Sequence, residues 1–337
     1  MYAEAEEASA VARRQLQAYG ELIAPLAARL RQSDPPLVIT CARGSSDHVA
    51  TYAKYLIETT LSTPTASYAP SVSSVYGTSW TKLRGALFLA ISQSGQSPDL
   101  IASARAAREA GALVVALVNE ADSPLARAAQ FVLPLLAGPE KSVAATKSCV
   151  AGMLAIAHLV AAWADEAALR AALHASPQWL EAAWAADWRE GARALQHVSN
   201  MFVISRGLGF GTAQEAALKL KETCQIHAEA FSAAEVRHGP AALVGPTFPV
   251  LLFVPNDAAG DSFATLAADF VARRAQVLTV GAEFAGAVSF RTERSLHPAC
   301  ASIAQLLSFY RLAEQLARAR GFDPDRPRHL QKITETR

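Results

Sequence analysis

At 337 residues the chain is long for one compact domain and comfortable for two, each able to bury its own core. Its 31 basic and 30 acidic side chains leave no charge excess to draw it to nucleic acid or anionic lipid. A 51% hydrophobic composition excludes a disordered chain. The acidic start Met1-Tyr2-Ala3-Glu4-Ala5-Glu6-Glu7 lacks the basic-then-apolar order of a signal peptide. The longest uncharged run, Cys149 to Ala164, is too short for a comfortable bilayer span and reads as a buried core helix. Four scattered cysteines without a CxxC pair read as reduced core residues and a cytoplasmic setting.

Helical periodicity runs from about Ala3 to Arg31 and stops at Asp34-Pro35-Pro36. Leu37 to Thr40 then reads as a buried strand, Cys41 to Asp47 as a turn, and His48 to Thr60 as a helix. Strands follow at Ala66 to Ala69, Leu87 to Ile91, Leu113 to Val118 and Phe131 to Leu135, with helices at Asp99 to Ala110 and Lys141 to Ala164. This alternation means βαβ units around a parallel sheet covered on both faces. Asp165 to His197 is a helical connector whose Trp179, Trp184 and Trp188 are expected to pack between domains. A second alternation begins with the strand Met201 to Ile204. It continues through strands near Ala228 to Phe231, Val250 to Val254, Val277 to Val280 and Ala287 to Phe290, with helices at Ser262 to Arg274 and Ala299 to Arg320. The expected layout is leading helices over 1–31, a domain over 32–164, the connector over 165–197, a second domain over 198–320 and a polar tail over 321–337. Val38 to Gly44 also lines up with Phe202 to Gly207 as strand, Arg-Gly and turn, which points to a duplicated domain.

Three stretches could carry chemistry. Ser92-Gln93-Ser94-Gly95-Gln96-Ser97-Pro98-Asp99 follows a buried strand and opens a helix, with Ser97 as N-cap and Pro98 as first helical residue. Free backbone N–H groups, serine hydroxyls and the Gln93 amide there suit an anion, in particular a phosphomonoester held without cationic charge. The helix after Ser205-Arg206-Gly207-Leu208-Gly209-Phe210-Gly211 carries Glu215, Lys219 and Glu222 at i, i+4 and i+7, on one face. That stripe reads either as a site or as a solvated face held by salt bridges. Its glycine turn lacks the third glycine of a dinucleotide fingerprint, so no nicotinamide cofactor is expected. His238, in Glu235-Val236-Arg237-His238-Gly239-Pro240, lies in a rigid loop that could serve proton transfer or structure alone. No His, Cys or carboxylate cluster has metal-binding spacing.

Ser92-Gln93-Ser94-Gly95, Ala144-Ala145-Thr146-Lys147, Gln214 to Glu222, Glu235 to Pro240 and Arg326-Pro327-Arg328-His329-Leu330-Gln331-Lys332 occur in one order. Together they resemble the isomerase half of glucosamine-6-phosphate synthase, and the SIS-type glucosamine-6-phosphate deaminases, over essentially the whole chain. The resemblance implies two tandem sugar isomerase (SIS) domains of α/β class, each a mainly parallel, flavodoxin-like sheet flanked by helices. It implies that Gly44, Ser46, Ser92, Gln93, Ser94, Ser97 and Ala145 line the phosphosugar site. It implies that Glu222 moves a proton between C1 and C2 of the open sugar, with Lys219 and Glu215 beside it. His238 is implied to assist ring opening from the partner subunit, hence a homodimer, and Lys332 to close over the substrate on the tail. No cofactor is implied.

Two positions depart from the synthase pattern: Arg43 stands where it has a small residue, and Ala145 where it has a serine. Met1 opens directly into the leading helices, so no ammonia-supplying glutaminase domain is expected. The expected activity is therefore deamination of glucosamine 6-phosphate to fructose 6-phosphate and ammonia. Alternatives are action on another phosphosugar (galactosamine 6-phosphate or a fructosamine 6-phosphate adduct), plain aldose–ketose isomerisation, and a non-catalytic phosphosugar sensor.

Overall fold

The computed structural model describes residues 1–78, 80–293 and 295–332. Two helices lead the chain, α1 (Tyr2–Glu6) and α2 (Ala8–Ser33). The first alternation is β1 (Val38–Cys41), α3 (Ser45–Leu61), β2 (Thr65–Ser67), α4 (Ser71–Ser74), β3 (Leu87–Ser92), α5 (Pro98–Glu109), β4 (Leu113–Val118), α6 (Pro124–Ala128) and β5 (Phe131–Pro134). Helices α7 (Lys147–Trp163), α8 (Ala167–His174), α9 (Ser176–Ala185) and α10 (Arg189–Leu195) follow. The second alternation is β6 (Asn200–Ser205), α11 (Phe210–Cys224), β7 (His227–Ser232), β8 (Pro249–Phe253), α12 (Phe263–Ala272), β9 (Gln276–Val280) and β10 (Val288–Phe290), closed by α13 (Pro298–Ala319).

The chain divides into two compact units. The first comprises Ala10–Glu140, Lys147–His174 and tail residues 331 and 332. Its sheet is parallel throughout, in the order β2-β1-β3-β4-β5. Every residue of β1 and β3 is buried, which is why these strands read as unbroken apolar runs. Phe88, Leu100, Val114 and Leu125 belong to the core on one side of this sheet. Helix α7 carries all but the last residue of the long uncharged run, and 15 of its residues are buried, as a core helix requires.

The second unit comprises Met1–Ser9, Lys141–Thr146 and Ala175–Leu330. Its parallel sheet has the order β10-β9-β8-β6-β7. Counted from its own first strand this is again 2-1-3-4-5, the doubly wound order of flavodoxin-like sheets. Phe202, Ile204, Leu252, Phe263, Phe270 and Val277 lie in its core. Trp188 stacks on Phe290 with ring centroids 5.4 Å apart, and Trp184 meets the Tyr2 ring edge-on at 4.8 Å. Both tryptophans thus pack within this unit.

One element starts later than its sequence pattern indicates. The helix expected from Lys141 begins at Lys147. The backbone N–H groups of Lys141 and Ser142 instead donate to the Glu4 carboxylate, which holds 141–146 out of helical conformation.

Candidate active site

In each sheet the first and third strands lie side by side and their connections leave in opposite directions. Ligands of open α/β sheets bind outside the carboxyl ends of strands at such a reversal. In the first unit these are β1 and β3, paired with Cys41 opposite Ala90. Gly44, at φ 55°, caps α3, and the Ser46 N–H donates to the Arg43 carbonyl at 3.2 Å. The turn after β3 is built from its own hydroxyls. Ser92 Oγ accepts from the Gly95 N–H at 3.0 Å and Ser94 Oγ accepts from the Gln96 N–H at 3.3 Å. Gly95 sits at φ 62°, and a Cβ there would lie 2.2 Å from Ser123 Oγ, so both conformation and space require glycine. Ser97 is the N-cap residue of α5 by backbone position, with Pro98 behind it, yet its side chain makes no capping bond.

The structure adds an ion pair at this edge. Arg43 Nε and Nη2 donate to Asp99 Oδ2 at 3.1 and 2.9 Å, and the Asp99 side chain is fully buried. In the same unit Lys332 Nζ donates to Glu140 Oε2 at 3.0 Å. The buried Glu140 also accepts from the Ser148 N–H and hydroxyl, at 3.1 and 2.7 Å. Residues 333–337, the rest of the tail expected to close the site, lie outside the described residues.

In the second unit α11 continues from a 3-10 turn over Gly207–Gly209 and ends where Gln225 adopts φ 53°. Its polar stripe is not a solvated face. Glu215 and Lys219 have no exposed side-chain surface, and Glu222 keeps 20%. Lys219 Nζ lies 3.3 Å from Glu215 Oε1 and 2.5 Å from Glu222 Oε2. Tyr310 Oη of α13 donates to Glu215 Oε1 at 3.0 Å. A buried ammonium is thus shared between one enclosed carboxylate and one that reaches a cavity. That cavity, of about 190 Å³, is lined by Glu222, Thr223, Gln225, Phe322, Arg326 and Arg328 among others. A second opening, of about 500 Å³, again borders Glu222, Gln225 and Arg328. Glu222 Oε1 has no hydrogen-bond partner among the described residues, so it is available to take a proton.

His238 lies on an exposed turn after β7, its N–H donating to the Glu235 carbonyl at 2.9 Å. It lines neither cavity beside Glu222. Ala145, partly buried, precedes α7. Asp99, Glu140 and Tyr310 are the neighbours of these residues that sequence reasoning missed. Glu140 in the Gly138-Pro139-Glu140 turn was the available signal, whereas Tyr310, beside Ser308 and Arg311 in its helix, offered none. Among the described residues no group of three or more His, Cys, Asp or Glu side chains is placed to hold a metal. Among the described residues no helix is long and apolar enough to cross a membrane. All four cysteines are buried, and burial pushes the thiols of Cys41 and Cys300 up to about 12 and that of Cys224 to about 11.

Two like sheets, a hydroxyl-rich turn at the edge of one and a largely buried Glu-Lys-Glu cluster in the other define a class. The SIS domain model matches residues 33–162 and 194–289, and the chain belongs to the SIS domain family. The isomerizing glutamine–fructose-6-phosphate aminotransferase of Thermotoga maritima is 36% identical over 270 residues, covering 74% of this chain and 43% of that protein. The chain therefore spans less than half the length of that relative. The crystal structure of a candidate phosphosugar isomerase from Silicibacter pomeroyi DSS-3 is 44% identical, with a TM-score of 0.92 over 96% of this chain and 99% of that one. A glucosamine-6-phosphate deaminase from Thermotoga maritima superposes with a TM-score of 0.78 over 99% of this chain and 100% of its own, at 21% identity. At that identity the likeness is one of fold.

Proposed function

We propose that the chain is a phosphosugar deaminase that converts glucosamine 6-phosphate and water to fructose 6-phosphate and ammonia. The observation that carries this reading is Glu222, a carboxylate with one oxygen held by a buried ammonium and the other unpartnered at a cavity. Such a group is fixed in position yet free to exchange a proton. In the open-chain sugar it would remove the C2 proton, leaving an enolamine across C1 and C2. Returning the proton at C1 gives the C2 imine, and water then replaces nitrogen as ammonia leaves. Lys219 and Glu215 act as positioning residues: the ammonium holds Glu222, and the enclosed carboxylate, itself held by Tyr310, holds the ammonium. Gly44, Ser46, Ser92, Gln93, Ser94 and Ser97 would hold the phosphate and Ala145 would face the sugar. His238 would open the ring from a partner subunit in a homodimer, and Lys332 would close the site.

Nitrogen chemistry supports the ammonia-releasing direction. Making an amino sugar needs ammonia, which near neutral pH is almost entirely ammonium and not nucleophilic. Releasing it from an amide needs an activated nucleophile, commonly a thiolate, and the thiols of Cys41, Cys224 and Cys300 are kept protonated by burial.

The likeness to a candidate phosphosugar isomerase at 44% identity supports a second reading, aldose–ketose isomerisation without nitrogen, by the same base. A panel of glucosamine, galactosamine, fructosamine-adduct and amine-free aldose 6-phosphates, assayed for ammonia and ketose phosphate together, separates the two. Equimolar ammonia and fructose 6-phosphate from glucosamine 6-phosphate is the expected result. Turnover of amine-free aldose phosphates alone would favour plain isomerisation, and turnover of none would remove the enzymatic reading.

A further inference from the structure

We propose that Arg43 is a specificity-determining residue that makes the phosphate turn select a doubly charged phosphomonoester. This rests on the reading of Ser92 to Ser97 as the sugar-phosphate cradle. Neutral donors alone, as the turn's sequence supplies, distinguish poorly between a monoanion and a dianion. A guanidinium at the same edge changes that discrimination.

Arg43 leaves the end of β1 in a turn level with the end of β3, and its guanidinium reaches the first turn of α5. There it is moored by two N–H donors to one oxygen of Asp99, a residue two positions beyond Ser97. The other Asp99 oxygen accepts from the Leu100 N–H at 2.8 Å, so the carboxylate is fixed. A guanidinium has five N–H donors in a rigid plane. Two are used; the rest of Arg43, including both hydrogens of Nη1, has no hydrogen-bond partner among the described residues, although its charge also acts on Asp47, and its side chain is 50% exposed. One edge is anchored and the opposite edge is presented. That is the arrangement in which arginine binds phosphate oxygens with geometric preference.

The competing account is that Arg43 merely neutralises a buried carboxylate. Arg43→Ala alone does not separate the two, because it takes an ion-pair partner from a buried carboxylate and so also costs stability. Arg43→Ala/Asp99→Asn does: the amide removes the buried charge and its oxygen still accepts from Leu100. Calorimetric binding of glucosamine 6-phosphate and of glucosamine 6-sulfate, a monoanionic isostere, is measured alongside KM and kcat. A charge-assisted hydrogen bond of the usual strength corresponds to about 10- to 100-fold in affinity. The double variant is expected to bind the phosphate ester weaker by that factor and raise KM in proportion, with a much smaller change in kcat. Its preference for phosphate over sulfate ester should narrow by about tenfold. Asp99→Asn alone, which leaves the guanidinium in place, should bind the phosphate ester more tightly than the double variant. A double variant that binds both esters as the wild type does would overturn the role of Arg43 alone. A wild type that binds neither ester would overturn the phosphate reading and this inference with it.

Discussion

In the proposed reaction Glu222 is the base, a role that the different surroundings of its two oxygens support. One is fixed by Lys219 at 2.5 Å, and the other is unpartnered at the cavity. Glu222→Gln keeps the shape and a hydrogen-bonding oxygen but cannot take a proton. It is expected to lower kcat by at least the 10² to 10⁴ that general acid–base assistance contributes, with binding of the phosphate ester retained. Steady-state rates and calorimetry on the same preparation check this; near-wild-type ammonia release would move the base to another residue. Gly95→Ala tests the turn. Its Cβ would meet Ser123 Oγ at 2.2 Å in a backbone conformation that L residues rarely adopt. The substitution should cost about 1–3 kcal/mol of stability and weaken phosphate binding while sparing α11. Thermal unfolding and phosphate titration would detect both effects, and an unchanged titration would place the phosphate elsewhere.

At the level of elements, α11 stores charge in the interior, which is costly unless every charge is paired. Lys219→Met leaves the enclosed Glu215 carboxylate without its ammonium and should destabilise the protein by about 3–5 kcal/mol. Lys219→Met/Glu215→Gln should recover much of that loss in a denaturant titration, but not the activity, since Glu222 would still lack its anchor. A double variant as unstable as the single one would mean that the triad is not the source of the loss. Helix α7 gives a pH prediction. His158 faces Tyr19 of α2 edge-on at 5.3 Å, its Nε2 is buried without a partner, and the charge of His174 on α8 also bears on it. Burial, then His174, lowers its pKa from 6.5 to about 4. Its native form is therefore neutral where the unfolded chain already binds a proton. The stability this reflects is present above pH 6.5 and is lost as pH falls towards 4, to the extent of roughly 2–3 kcal/mol. His158→Gln should flatten that part of the stability–pH curve; an unchanged slope between pH 6.5 and 4 would assign it to other groups.

For the molecule as a whole, the expected homodimer with shared sites is tested by subunit exchange. Mixing His238→Ala and Glu222→Gln proteins should restore roughly a quarter of wild-type sites at random pairing. No recovery once heterodimers are verified would put His238 and Glu222 to work within one chain. Much of this architecture was legible in the sequence. Strands buried on both faces show as apolar runs, and β4 was readable to the residue as Leu113–Val118 because all of its residues after Leu113 are buried and apolar. What was not legible depends on partners far along the chain. The Glu4 carboxylate delays α7, Asp99 holds Arg43 from 56 positions away, and Glu140 meets Lys332 across 192. Burial of Glu215 and Lys219 was equally hidden, since charges at i, i+4 and i+7 look the same on a solvated helix, and packing against α13, with Tyr310, and against β6 and β7 decides. The central claim, that Glu222 drives deamination of an amino-sugar phosphate, meets its most direct test in one paired assay. Glucosamine 6-phosphate is given to the wild type and to Glu222→Gln, with ammonia and fructose 6-phosphate followed together. The account predicts equimolar products from the wild type and almost none from the variant, although both bind the substrate; ammonia released equally by the two proteins, or by neither, would contradict it.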